Sequence, residues 1–269
     1  MKKLYMVMFS LLVMMVVFGH DCKKVEAGSV KALDKTAEVD ITGDGKKDKI
    51  KIKTTKEDGY IFRKYSIYIN GKKAYTQKLW AYNLGVEHVK VSAKESYLYV
   101  WSTSENAWHE FADLLQYKKG KLVKVNDLQH GSHEIQVKSV SKKKLVVSCR
   151  EQYSATGYLS YDVVYKKKNK KWVKLSDEYK VTAKGFDYSK PQFQSKKEIK
   201  LYKSASCTGA YSQIPKGKTF TLIKIRRGFD SDGELKVYGY FKCGKKKGWM
   251  DIENYEKSLG VFKGVMLAG

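Results

Sequence analysis

Two sets of positions in this chain step by the same interval. Ile69, Tyr117 and Tyr165 stand 48 residues apart, and each precedes a turn-like run: NGKK at Asn70, KKGK at Lys118 and KKNKK at Lys167. Ile50, Leu98 and Val146 lie in the runs KIKIK, YLYVW and KLVVS and step by the same 48. A unit in the forties that holds four short strands has the size of one propeller blade. Runs of alternating apolar and polar residues between Asn, Gly and Lys turns read as strands, and no stretch keeps a helical period. The expected fold is therefore all-β, with a β-meander of propeller-blade-like repeats over residues 30–182. Three units run from about Leu33 to Asp177, and EYKVTAKGF adds one more strand. Three is fewer than the four to eight blades of ordinary propellers. A closed ring, a twisted open array and a sandwich of the same sheets all stay open.

The chain begins MKKLYMVMFSLLVMMVVFGHDCKKVEAGS. Lys2 and Lys3 precede an apolar run from Leu4 to Phe18, broken only by Ser10. That run is shorter than the roughly 20 residues that span a bilayer. Val25-Glu26-Ala27 suits signal peptidase, so residues 1–27 read as a signal peptide cleaved after Ala27. Asp21 before Cys22 counts against lipidation. No later stretch is long and apolar enough to span a membrane, so no transmembrane span is expected after cleavage. The expected location is extracellular or cell-wall associated.

Lys and Arg number 53 against 28 Asp and Glu, a formal net charge of +25. Most of the excess is lysine, which suits diffuse attraction to anionic surfaces better than bidentate base reading. For a secreted protein this points to anionic cell-wall polymer or peptidoglycan and away from nucleic acid. The plain alternative is solubility with a positive sign. Cleavage leaves Cys149, Cys207 and Cys243. Their odd number and long gaps exclude a disulfide scaffold and a paired zinc motif. Cys207 and Cys243 could pair; Cys149, in an apolar strand run, reads as a buried thiol.

Against the lysine background, VDITGDGKKDKI places Asp40, Thr42, Asp44 and Asp48 at positions 1, 3, 5 and 9 of a loop, with Lys46 at 7. Side chains at 1, 3 and 5 and a carbonyl at 7 can converge on a hard cation, and Gly45 at position 6 permits the sharp turn. Lys51 stands where an EF-hand has its closing Glu. The loop resembles the calcium loops of FG-GAP and VCBS-type propeller repeats. That resemblance implies one structural calcium ion (Ca2+), with Thr42 in place of the usual Asp or Asn. The alternative is an Asp/Gly turn neutralised by Lys46, Lys47 and Lys49. Later units carry SAKES and SVSKKK here, so a single site is expected.

Near Pro191 the repeat stops. Residues 183–197 are polar, carry Gly185 and Pro191, and read as a linker. Residues 198–256 follow as a second domain and 257–269 as a tail. The pieces LYKSAS, IPKGKTFTLI and GKKKGWMDI resemble a bacterial SH3-like domain, closing on Gly248-Trp249. The start departs from the family, with IKLYKSA in place of its usual Asn-Val-Arg run. The resemblance implies a small barrel of five or six strands that holds wall polymer or peptide. Tyr202, Tyr211, Tyr240 and Trp249 are the ligand-binding candidates, because aromatic faces suit glycan and peptide surfaces. Trp249 reads equally as core.

No catalytic residues are expected. Cys149 is the only cysteine of the larger domain, with His88, His109, His130 and His133 as possible partners. HGSH at His130 lacks an HExxH frame, and no GxSxG, P-loop or GxGxxG run occurs. Two readings result. One is a secreted, non-catalytic envelope-binding protein, with a protein partner possible for the repeat domain. The other is a cell-wall hydrolase or its inactive relative.

Overall fold

Valine, isoleucine and tyrosine at alternate positions suit a pleated, half-buried surface, and the regular elements formed by the described residues are β-strands. The computed structural model describes residues 28–105, 109–128, 134–185, 187–254 and 258–265. The expected signal peptide, His130, His133 and part of the expected tail lie outside them.

The first repeat is an antiparallel sheet of β2 (Thr36–Val39), β3 (Asp48–Glu57), β4 (Ile61–Ile69) and β5 (Lys72–Ala81). The second is β6 (Asn83–Ser92), β7 (Glu95–Thr103), β8 (His109–Lys118) and β9 (Lys121–Asp127). The N-terminal strand β1 (Ser29–Ala32) pairs with β6 and so joins this second sheet at its edge. The third repeat is β10 (Glu134–Val140), β11 (Lys144–Tyr153), β12 (Gly157–Lys168) and β13 (Lys171–Lys174).

The last hairpin of each unit closes on two residues at positive φ: Asn70-Gly71, Lys119-Gly120 and Asn169-Lys170. That is the requirement of a tight turn matched to strand twist. These turns step by slightly more than the 48 of the sequence anchors, and pairing drifts with them. Ile50 faces Ile69, Leu98 faces Leu115, and Val146 faces Val164.

The second sheet is buried on both faces. Leu98, Val100 and Leu115 pack with Ile50, Tyr65 and Ile67 of the first sheet. Tyr97, Tyr99, Ala112 and Leu114 pack on the other side with Leu145, Val147 and Tyr161 of the third. Alternate residues of a strand point to opposite faces, so a strand covered on both sides is apolar throughout. This accounts for the YLYVW run of β7.

The third sheet continues into the C-terminal part. β14 (Glu178–Lys184) pairs with β12 on one side and with β18 (Thr219–Phe229) on the other. From β18 the order runs through β19 (Leu235–Cys243), β20 (Lys246–Asp251), β16 (Ile199–Tyr202) and β17 (Tyr211–Ile214), giving an eleven-stranded sheet. No sheet among the described residues closes into a barrel, so the C-terminal strands form part of an open sheet.

The stretch 183–197, expected as a linker, is built into this sheet. It carries the end of β14 and the strand β15 (Gln192–Gln194), which pairs with β18. Phe193 is 3% exposed and packs 5.1 Å from Phe262 and 6.3 Å from Phe241. The polar composition that suggested a tether reflects the solvent side of a short strand. One apolar core runs from the second sheet through the third into the C-terminal strands.

Buried ionic contacts cross the same boundary. Arg227 of β18 pairs with Glu151 of β11 at 2.7 Å. Tyr161 donates to Glu151 at 2.7 Å, and Tyr153 donates to the same oxygen. A buried carboxylate requires such partners.

Candidate functional site

The acidic loop joins β2 to β3, and its carboxylates face the backbone. Asp48 is 4% exposed. Its Oδ2 accepts from the amides of Ile41 at 3.0 Å and Thr42 at 3.1 Å, and its Oδ1 accepts from Asn70 Nδ2 at 2.7 Å. Asp40 accepts from the amides of Gly43 at 2.7 Å and Gly45 at 2.9 Å. Asp44 accepts from the amide of Lys46 at 2.8 Å. Side-chain oxygens of this kind satisfy turn amides that no ladder reaches. Thr42, Asp44 and Lys46 are exposed. Among the described residues no three His, Cys, Asp or Glu side chains converge as a metal cage. The side chains form a hydrogen-bonded clasp around the loop amides.

The four aromatic candidates of the C-terminal part come together. Tyr211 pairs with Tyr202, Tyr202 with Trp249, and Trp249 with Tyr240. Directly paired residues share a face, so the four side chains form one row across β17, β16, β20 and β19. Ring centroids lie 5.4 Å apart for Tyr202–Tyr211 and 5.0 Å for Tyr240–Trp249. The row continues to Lys224 of β18, the partner of Tyr240. Lys224 Nζ lies 5.3 Å from the Tyr240 ring and 5.1 Å from the Trp249 ring, within cation–π reach, and it is anchored by Glu178 of β14. At the other end Lys200 Nζ lies 4.6 Å from the Tyr211 ring.

Exposure grades along the row. Tyr211 is 45% exposed and Trp249 only 7%, while Tyr202 and Tyr240 are half-buried. Trp249 therefore sits on the outer face, hemmed in by its neighbours, and Met250 turns to the core. Gly248 makes this possible: a Cβ there would lie 2.7 Å from the Tyr202 carbonyl oxygen. Lys242 and Lys247, a cross-strand pair two residues along, flank the row on one side, and Tyr238 and Asp251 flank it on the other.

Beyond the single Tyr202–Trp249 pair, β16 and β20 part. They leave a cleft of about 430 Å³ lined by Lys200, Tyr202, Cys207, Tyr238, Met250 and Asp251. Cys207 and Cys243 are separate thiols, so the possible pairing is not formed. Burial, reinforced by Asp251, pushes the Cys207 thiol up to about 12, which leaves it protonated and a poor nucleophile near neutral pH.

Cys149 is 1% exposed inside the core. His88 is buried with Nε2 unpartnered, and burial, then Lys90, holds it below the usual imidazole range. His109 is buried beside Trp101, with ring centroids 5.6 Å apart. Sequence reading did not single out Tyr60, Trp80 and Tyr82, which cluster at one end of the first sheet. The available signal was the parity of β5, which places Trp80 on the same face as the polar Thr76 and Lys78. Comparison with protein-family models, with curated proteins and with solved structures finds no match to this chain.

Proposed function

We propose that this chain is a secreted, non-catalytic binding protein of the cell envelope, and that the row Tyr211–Tyr202–Trp249–Tyr240 holds anionic wall polymer or peptidoglycan. The observation that carries this reading is the continuity of the row with Lys224 and its flanking by Lys200, Lys242 and Lys247. Ring faces offer an apolar surface to sugar rings and peptide, and lysines attract phosphate and carboxylate groups. Kinship of the C-terminal strands with SH3-like modules, and of the repeats with propeller blades, belongs to the same reading. A calcium ion at Asp40, Asp44 and Asp48 would add to it without carrying it. The burial of Cys149 favours binding over hydrolysis.

Tryptophan fluorescence tests the assignment. Soluble wall fragments should shift the emission of the chain from Gly28 onward, and Trp249→Phe should remove most of that shift. An unchanged shift in the variant would place the binding elsewhere. Release of wall fragments by the wild type, lost in Cys149→Ala, would restore the hydrolase reading.

A further inference from the structure

We propose that the outward face of the first sheet is a second, separate docking surface, and that its occupant is an acidic polysaccharide. Ile50, Tyr65, Ile67 and Ile69 turn inward to the core, so the alternate positions face out. These are Lys49, Lys51 and Lys53 on β3, Lys64, Ser66 and Tyr68 on β4, and Lys73, Thr76 and Lys78 on β5. Register sets them in rows: Lys51 beside Tyr68 beside Lys73, Lys53 beside Ser66 beside Thr76, and Lys64 beside Lys78. The 2.9 Å bond between Ser66 Oγ and Thr76 Oγ1 fixes the shared face.

All six lysines are exposed, and among the described residues none of them makes an ion pair. In the larger sheet some lysines do have carboxylate partners: Lys138 with Asp162, Lys174 with Asp177, Lys224 with Glu178. Strands lie about 4.8 Å apart and outward positions about 6.8 Å apart along a strand. Lys49 has Glu38 of β2 as its cross-strand neighbour, while the other five charges at such spacing repel one another, and a polyanion laid across them relieves that repulsion.

Charge alone would suit any polyanion. The aromatic cluster narrows the choice. Trp80, the next outward position after Lys78, is 46% exposed. It meets Tyr82 edge-on at 5.5 Å, and Tyr82 lies 5.8 Å from Tyr60, itself 53% exposed. Arg63 sits 5.9 Å over the Trp80 ring. An open ring platform beside rows of cations fits a chain that alternates apolar ring faces with negative charge. That is a linear polymer of uronic-acid sugars. The surface shares no residue with the C-terminal row, and either can fail alone.

The test is binding of polygalacturonate to the chain from Gly28 to Gly269 over a range of salt. One variant carries Lys51→Gln, Lys53→Gln, Lys64→Gln and Lys78→Gln. A charge-matched control carries Lys121→Gln, Lys143→Gln, Lys168→Gln and Lys171→Gln. At low salt the first should lose about tenfold or more in affinity, with a shallower dependence of log K on log salt, while the control stays near wild type. Trp80→Ala should weaken binding without changing that slope. Melting curves check that each variant is folded. Equal losses in the two lysine variants would reduce the effect to net charge and overturn the proposal. So would unaltered binding by Trp80→Ala together with equally tight binding of ring-free polyphosphate.

Discussion

Asp48 meets backbone amides and Asn70 that its spacing in the sequence does not name. The spacing of Asp40, Asp44 and Asp48 was legible, but the amides they meet belong to a loop conformation that spacing does not specify. Asp48 holds Ile41, Thr42 and Asn70 from a buried position, so Asp48→Ala should cost about 3 kcal/mol in urea denaturation. Asp44→Ala, which removes one exposed turn bond, should cost about 0.5 kcal/mol or less. The clasp alone gives the same melting temperature in chelator and in millimolar calcium. A rise with calcium would show an ion bound to the folded state. Glu253 gives a pH signature. It lies near Glu151, Asp251 and Arg227, its Oε2 has no hydrogen-bond partner, and burial, then Glu151, raises its carboxyl to about 7. A carboxyl raised in the folded state binds its proton more tightly there than in the unfolded chain. Its contribution to stability therefore falls as pH rises from the ordinary carboxylate range to about 7 and is flat above. Glu253→Gln should raise the melting temperature in mildly alkaline buffer, and the gain should vanish in acid. A gain of equal size at every pH would point to packing.

Strands and hairpins were the most legible elements, because alternation and turn chemistry are local signals. The three hairpins Asn70-Gly71, Lys119-Gly120 and Asn169-Lys170 differ in how well the second residue suits positive φ. Lys170 sits at φ 63°, where a side chain costs on the order of 1 kcal/mol that glycine does not. Lys170→Gly should raise stability by about 0.5–1 kcal/mol in denaturant titration, and Gly71→Ala should lower it by a similar amount. Opposite signs would mean that these turns do not govern their hairpins. β14 shows the limit of local reading. Its sequence EYKVTAK marks a strand, but its partners lie in β12 before it and β18 well after it, and nothing within β14 names the second. Phe193 behaves likewise: its contacts with Phe241 and Phe262 are remote in sequence, so the polar residues around it dominate a local reading.

At the scale of the molecule, the all-β class was readable from the sequence, while the joining of the repeats to the C-terminal strands was not. The continuous sheet, the shared core and the Glu151–Arg227 pair all cross that joint. The chain should therefore unfold as one cooperative unit, with far-ultraviolet dichroism and tryptophan fluorescence giving coincident curves. Two separated transitions would show independent halves. Arg227→Ala leaves Glu151 buried beside its tyrosines and should cost about 3–5 kcal/mol. The candidate site was legible as four residues but not as a row. Tyr202 and Tyr240 lie 38 positions apart, and only the Trp249 strand between them brings them into register. The proposed role of the row in binding wall polymer is tested most directly by sedimentation with purified cell walls across salt. Salt shortens the Debye length from about 10 Å at 0.1 M to about 3 Å at 1 M, so lysine attraction should fade. A salt-resistant fraction held by the rings should remain in the wild type and disappear in Tyr211→Ala combined with Trp249→Phe, a variant checked for folding by dichroism. A wild type that leaves the walls entirely in moderate salt, or a double variant that keeps the resistant fraction, would contradict the assignment.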